Sequence, residues 1–115
     1  MKADTRIDAK PKTLALIHTV NWHGRLINGP LVDPWLTKNP DVQVFNIADD
    51  SLLVECRAHQ RATPNVLKRI QFYFLAAEAM GADVAICTCT TVGEAARLAR
   101  DYVSIPVFNI DEPMA

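Results

Sequence analysis

Four short apolar runs mark out the chain, and each is followed by a polar cluster. The first, Thr13 to Thr19 (TLALIHT), comes after a proline and is nearly all apolar. A continuous apolar run of this length suits a strand covered on both faces, as in a parallel sheet. Val42 to Ile47 (VQVFNI), Asp83 to Thr88 (DVAICT) and Ile105 to Ile110 (IPVFNI) read as three further strands. Thr63-Pro64 opens the clearest helix, with Thr63 as N-cap and Pro64 at the first helical position. Val66, Leu67, Ile70, Phe74 and Ala77 then recur at helical spacing, and Gly81 ends the helix where a left-handed residue is needed. Thr91-Val92-Gly93-Glu94 matches a capping box that opens a helix to about Tyr102. Leu52 to Gln60 reads as a short helix or a lid-like excursion. Residues from Arg25 to Thr37 are helical in part, interrupted by Pro30 and Pro34.

Strands alternating with helices predict an α/β domain with a parallel sheet and right-handed crossovers. The expected architecture is three-layer α/β/α around a four-stranded parallel sheet, a flavodoxin-like half-domain. In such sheets ligands sit at the carboxyl ends of the strands. Those ends carry His18-Thr19-Val20-Asn21, Asp49-Asp50-Ser51, Cys89-Thr90-Thr91 and Asp111-Glu112.

Composition narrows the class. A length of 115 residues fits one domain, and 50% hydrophobic with 22% charged residues is a globular balance. Residues 1–11 are polar and read as a flexible N-terminal tail, leaving residues 12–115 as a single lobe. A formal net charge of −1 points to neither nucleic acid nor an anionic membrane. No stretch reaches the roughly 18 apolar residues of a membrane span, and residues 1–11 have no apolar signal core. The three cysteines, Cys56, Cys87 and Cys89, are odd in number, and two lie one residue apart on one strand. That argues for free thiols, a reducing compartment and a cytoplasmic location.

Cys89 lies where the third strand is expected to become a helix. Unpaired N–H groups and the helix dipole would favour its thiolate, the reactive form. Cys87, inside the strand, reads as a buried, inert cysteine. The hydroxyls of Thr90 and Thr91, with adjacent N–H groups, serve either as caps or as holders of a carboxylate. His18 is equally suited to a structural role and to acid/base work. Asp49 and Asp50 either cap a loop or lend polar support to the site. His23 and His59 have no supporting pattern. Cys87-x-Cys89 lacks metal-ligand spacing, and no Gly-rich phosphate loop follows any strand, so no metal or cofactor is expected.

Several stretches taken together resemble the aspartate/glutamate/hydantoin racemase superfamily. They are Leu16-Ile17-His18-Thr19-Val20, Asp49-Asp50-Ser51-Leu52-Leu53, Thr63-Pro64, Gly81 to Gly93 (GADVAICTCTTVG) and Ile105 to Pro113 (IPVFNIDEP). The resemblance is to the N-terminal lobe of that family and covers residues 12–115. It implies a cofactor-independent reaction at the α-carbon of a small carboxylate or amino acid, with Cys89 as acid/base. It also implies that Thr90 and Thr91 bind the substrate carboxylate and that Thr19, Val20 and Asn21 shape the pocket. Racemases of this type use two thiols, one from each of two lobes. No cysteine follows Cys89 in this chain, so the second acid/base is expected from a missing second lobe or from a homodimer. The alternative is a non-catalytic domain of the same fold that binds a small carboxylate or forms a subunit.

Overall fold

The computed structural model describes residues 12–22 and 24–112. The expectations for the 1–11 tail, His23 and Pro113 lie outside the described residues. The strands are β1 (Lys12–His18), β2 (Val42–Ala48), β3 (Val84–Cys87) and β4 (Val107–Asn109). They form one all-parallel sheet in the order β2-β1-β3-β4. The helices are α1 (Asp33–Lys38), α2 (Ser51–His59), α3 (Pro64–Ala79) and α4 (Glu94–Ala99). A π-helical segment, Gly24–Val32, leads into α1, and a 3₁₀ turn, Thr90–Val92, precedes α4.

The central strands β1 and β3 have apolar residues on both faces, one against the main core and one toward the π-helical segment and α1, and so read as nearly unbroken apolar runs. Ala15 and Ile17 of β1 stand in register with Ala85 and Cys87 of β3, which pair in turn with Val107 and Asn109 of β4. This row joins Leu52 and Cys56 of α2, Val66, Ile70, Phe74 and Ala77 of α3, and Ala95, Ala96 and Ala99 of α4 in one core. Leu14, Leu16 and Ile86 face the other way, toward Ile27, Leu31 and Trp35 of the π-helical segment and α1. That outer layer is thin: neither element buries a residue, and a groove of about 280 Å³ stays open between it and the sheet.

Residues 24–38, where prolines weakened the helical reading, form two coils. Pro30 has no N–H to donate and crowds the carbonyl four residues earlier, which disfavours a regular α-helix. The wider π coil accommodates it, and π segments of this kind are uncommon. Its close approach needs glycine, since a Cβ on Gly29 would lie 2.8 Å from the Gly24 carbonyl oxygen.

Thr63 caps α3 as its sequence position predicts. Its Oγ1 accepts from the Val66 N–H at 3.1 Å and donates to Glu55 of α2. Thr63→Ala removes both contacts and should cost about 1 kcal/mol, read as a lower urea midpoint with an unchanged slope. Gly81 follows at φ +86°, in the left-handed region.

The capping box at Thr91 does not form. Thr91 lies inside the 3₁₀ turn, and Gly93 precedes α4 with no side-chain cap. An Asn109-lined wall sits against Gly93, where a Cβ would lie 3.3 Å from Asn109 Nδ2. The chain therefore turns tightly under β4 before α4 begins. The helix also ends at Ala99 rather than near Tyr102. Among the described residues no helix is long and apolar enough to cross a membrane.

Candidate functional site

The two central strands of the sheet are β1 and β3, and their onward connections run to opposite edges. The crevice above their carboxyl ends is therefore the topological switch point, where open α/β sheets place ligands. The backbone there is held in register: the Thr88 N–H donates to the Ile17 carbonyl at 2.9 Å, and the Asp49 N–H donates to His18 at 3.0 Å. Cys89 continues β3 in extended conformation, with φ −123° and ψ 123°.

A cavity of about 230 Å³ opens at this point. Its polar wall is Thr19, Thr88, Cys89 and Thr90, and its apolar wall includes Val20, Trp22, Leu26, Ile27 and Leu53. The fold thus gathers Thr19, Val20, Cys89 and Thr90 around one space. Thr19 is buried, Cys89 is half-buried and Thr90 is exposed. Asn21 does not line this cavity. It donates to Asp50 at 3.0 Å, and both border an adjoining space with Arg57. Thr91 points to a third cavity, shared with Cys89, Cys56 and Arg61.

His18 lies beneath the site, fully buried. Its Nδ1 meets Thr88 Oγ1 at 2.7 Å and its Nε2 meets Asn46 Oδ1 at 2.7 Å. Asn46 Oδ1 accepts from Nε2–H, and Nδ1 is satisfied by the Thr88 hydroxyl, which also donates to the Ile17 carbonyl at 3.3 Å. His18 thereby orients a hydroxyl that lines the cavity and reaches the site through it. His59 instead contacts the Glu55 carbonyl on its own helix at 3.1 Å.

Asp49 is committed elsewhere. It accepts from Ser51 N–H at 3.0 Å and from Ser51 Oγ at 2.6 Å, takes a third bond from the Tyr73 hydroxyl, and pairs with Arg69 at 2.6 Å. Burial alone would raise its carboxyl, but the Ser51 and Tyr73 hydrogen bonds and the Arg69 charge outweigh it and hold the group below its ordinary 3.8. A carboxylate lowered in the folded state adds stability above its unfolded value and loses it as pH falls through the folded value. Asp49→Asn should therefore cost about 1–2 kcal/mol near neutrality. The gap between the two proteins should close as the pH drops below about 3.8 in an acid-titrated urea series.

Asp111 and Glu112 also serve structure. Asp111 Oδ1 accepts from Asn109 Nδ2 at 2.6 Å, and Glu112 accepts from the Asn109 N–H at 2.9 Å while pairing with Arg100. Of the four polar clusters at the strand ends, the two on β1 and β3 therefore meet at the cavity, and those on β2 and β4 mainly brace the fold.

The thiols differ sharply. Cys87 is fully buried, and burial pushes its pKa up to about 12. Cys89, two residues on, reaches the cavity. The expected helix dipole behind Cys89 needs correction: a three-residue 3₁₀ turn follows it, and the six-residue α4 starts only at Glu94. So short a turn sums few peptide dipoles. Among the described residues no group of three His, Cys, Asp or Glu is placed to hold a metal ion.

Trp22, Leu26, Ile27, Leu53 and Thr88 join the site without having been singled out by the sequence. Trp22 follows directly on the β1 loop and offered a faint signal, an aromatic residue beside polar ones. Thr88 directly follows β3, while Leu26, Ile27 and Leu53 come from the π-helical segment and α2, whose placement no local pattern encodes. Comparisons with family models, curated proteins and solved structures gave no match.

Proposed function

We propose that this chain is one lobe of a cofactor-independent enzyme that moves a proton at the α-carbon of a small carboxylate, with Cys89 as the acid/base. One observation carries the reading. At the sheet's switch point a half-accessible thiol shares a cavity of about 230 Å³ with the hydroxyls of Thr19, Thr88 and Thr90. A space of this size takes a molecule of amino-acid scale, and the hydroxyls of Thr19 and Thr90 can hold a carboxylate by donating to it. The thiol beside them can take up and return the proton. Val20, Trp22 and Leu53 supply an apolar wall beside the reacting carbon. His18 positions the Thr88 hydroxyl. The opposing acid/base comes from a second lobe or a second copy of the chain, as the resemblance to the racemase superfamily implies.

The test is proton exchange. The protein, incubated in deuterated buffer with a panel of small carboxylates and free amino acids, should wash out the α-proton signal of at least one of them by NMR. Thermal-shift measurements on the same panel report binding independently. A ligand that raises the melting temperature without exchanging its α-proton would favour a non-catalytic carboxylate-binding domain instead.

A further inference from the structure

Cys56 carries no role in the reading above, yet the fold brings it to Cys89. It sits on α2, is 1% exposed, and borders a cavity of about 520 Å³ that has Leu53 and Cys89 in common with the cavity described above. Cys89 and Thr91 line the same cavity, and the lining residues Arg57 and Arg61 bring positive charge to it. Burial pushes the Cys56 thiol up, and a negative charge on Cys89 pushes it further, which marks the two as electrostatic neighbours. Cys87 borders neither cavity and is sealed in the core. One thiol is thus accessible beside cationic side chains, and a second, protonated thiol waits next to it. Accessible thiols in electropositive surroundings with a resolving cysteine nearby are the setting of thiol oxidation chemistry.

We propose that Cys89 and Cys56 form a redox pair that reacts with hydroperoxides. The Cys89 thiolate attacks one peroxide oxygen, the O–O bond breaks, and the other oxygen leaves as alkoxide or hydroxide that takes a proton from water. Cys89 is then a sulfenic acid. The Cys56 sulfur attacks the Cys89 sulfur, an S–S bond forms, the S–O bond breaks, and the departing hydroxide leaves as water with the Cys56 proton. The two sulfurs lose two electrons and the peroxide gains them. A dithiol returns both cysteines to thiols and is itself oxidised to its disulfide.

Bond formation requires the two Cα atoms to come within about 7 Å. The element that yields is the Thr90–Val92 turn, closed by the Gly93 N–H to Thr90 carbonyl bond at 3.2 Å. α2 stays in place because Leu52 and Cys56 anchor it in the core. The proposal rests on the second cavity and does not depend on the carboxylate reading.

The experiment treats the reduced full chain with a small excess of hydrogen peroxide, then maps peptides without reduction and titrates free thiols. The expected result is loss of two of the three free thiols and a peptide linking Cys56 to Cys89, both reversed by dithiothreitol. In Cys56→Ala, with folding checked by its thermal melt, Cys89 should accumulate as dimedone-trapped sulfenic acid or as sulfinic acid. Because the wild-type map stands alone, a variant that fails to fold leaves the proposal fully testable. Wild-type protein that yields over-oxidised Cys89 with Cys56 still free, a bond between two chains at Cys89, or no reaction at Cys89 would overturn it.

Discussion

Cys89→Ser should lower the rate of α-proton exchange by about 10²–10⁴-fold while leaving ligand affinity and thermal stability close to those of the parent protein. The serine hydroxyl nearly matches the thiol in shape, so the half-buried position at the end of β3 stays filled. Its proton is held far more tightly than that of a thiol, so it cannot serve as the base near neutral pH. Thr19 and Thr90 remain to hold the carboxylate. The loss should therefore fall on kcat, with KM nearly unchanged, the signature of an interaction needed only in the transition state. Equal loss in kcat and rise in KM would point to Cys89 as a binding group. An unchanged rate would remove it from the chemistry altogether.

Phe74→Ala should cost about 3–5 kcal/mol, the range for removing a buried aromatic side chain. Phe74 heads the fully buried side chains by volume and lies on α3 between Ile70 and Ala77 along one face. The surrounding core is rich in alanine, at Ala15, Ala85, Ala95, Ala96 and Ala99. Small residues leave room for one large ring, and they have no side chain with which to fill the space once the ring is gone. The void should therefore persist, and the cost should lie toward the upper end. Against a total stability of about 5–15 kcal/mol, a loss of this size brings the chain near its unfolding threshold. Urea unfolding followed by circular dichroism reads it directly. A loss under about 1.5 kcal/mol would mean that the core closes around the gap.

The two substitutions probe different parts of the same construction. Alanines on the sheet face let α3 and α4 pack closely, and that packing sets β3 beside β1 with their carboxyl ends level. Cys89 and Thr19 meet only because of that levelling. A destabilised core and a misplaced thiol would both lower exchange, but only the first shifts the unfolding midpoint.

What could be read from the residues was whatever depends on neighbours along the chain. Apolar runs covered on two faces marked the strands, since a buried parallel strand has no polar side to show. Thr63, Pro64 and Gly81 marked the ends of α3, because capping and left-handed backbone are local demands. The alternation of elements gave the sheet its class, and the strand ends pointed to Cys89 and its threonines. Local chemistry misled at Thr91, where a capping pattern lost to the tight passage beneath Asn109. It offered Asp49 as a loop cap, which its bonds from Ser51 fit, but was silent on Arg69 and Tyr73, about twenty residues further on, which also claim the carboxylate. It was silent too on Cys56, 33 positions before Cys89, although one cavity joins them. Such pairings depend on strand order and helix placement, which emerge when the whole core is packed at once. Periodicity and capping are properties of a short segment; the meeting of two thiols in one cavity is a property of the closed fold.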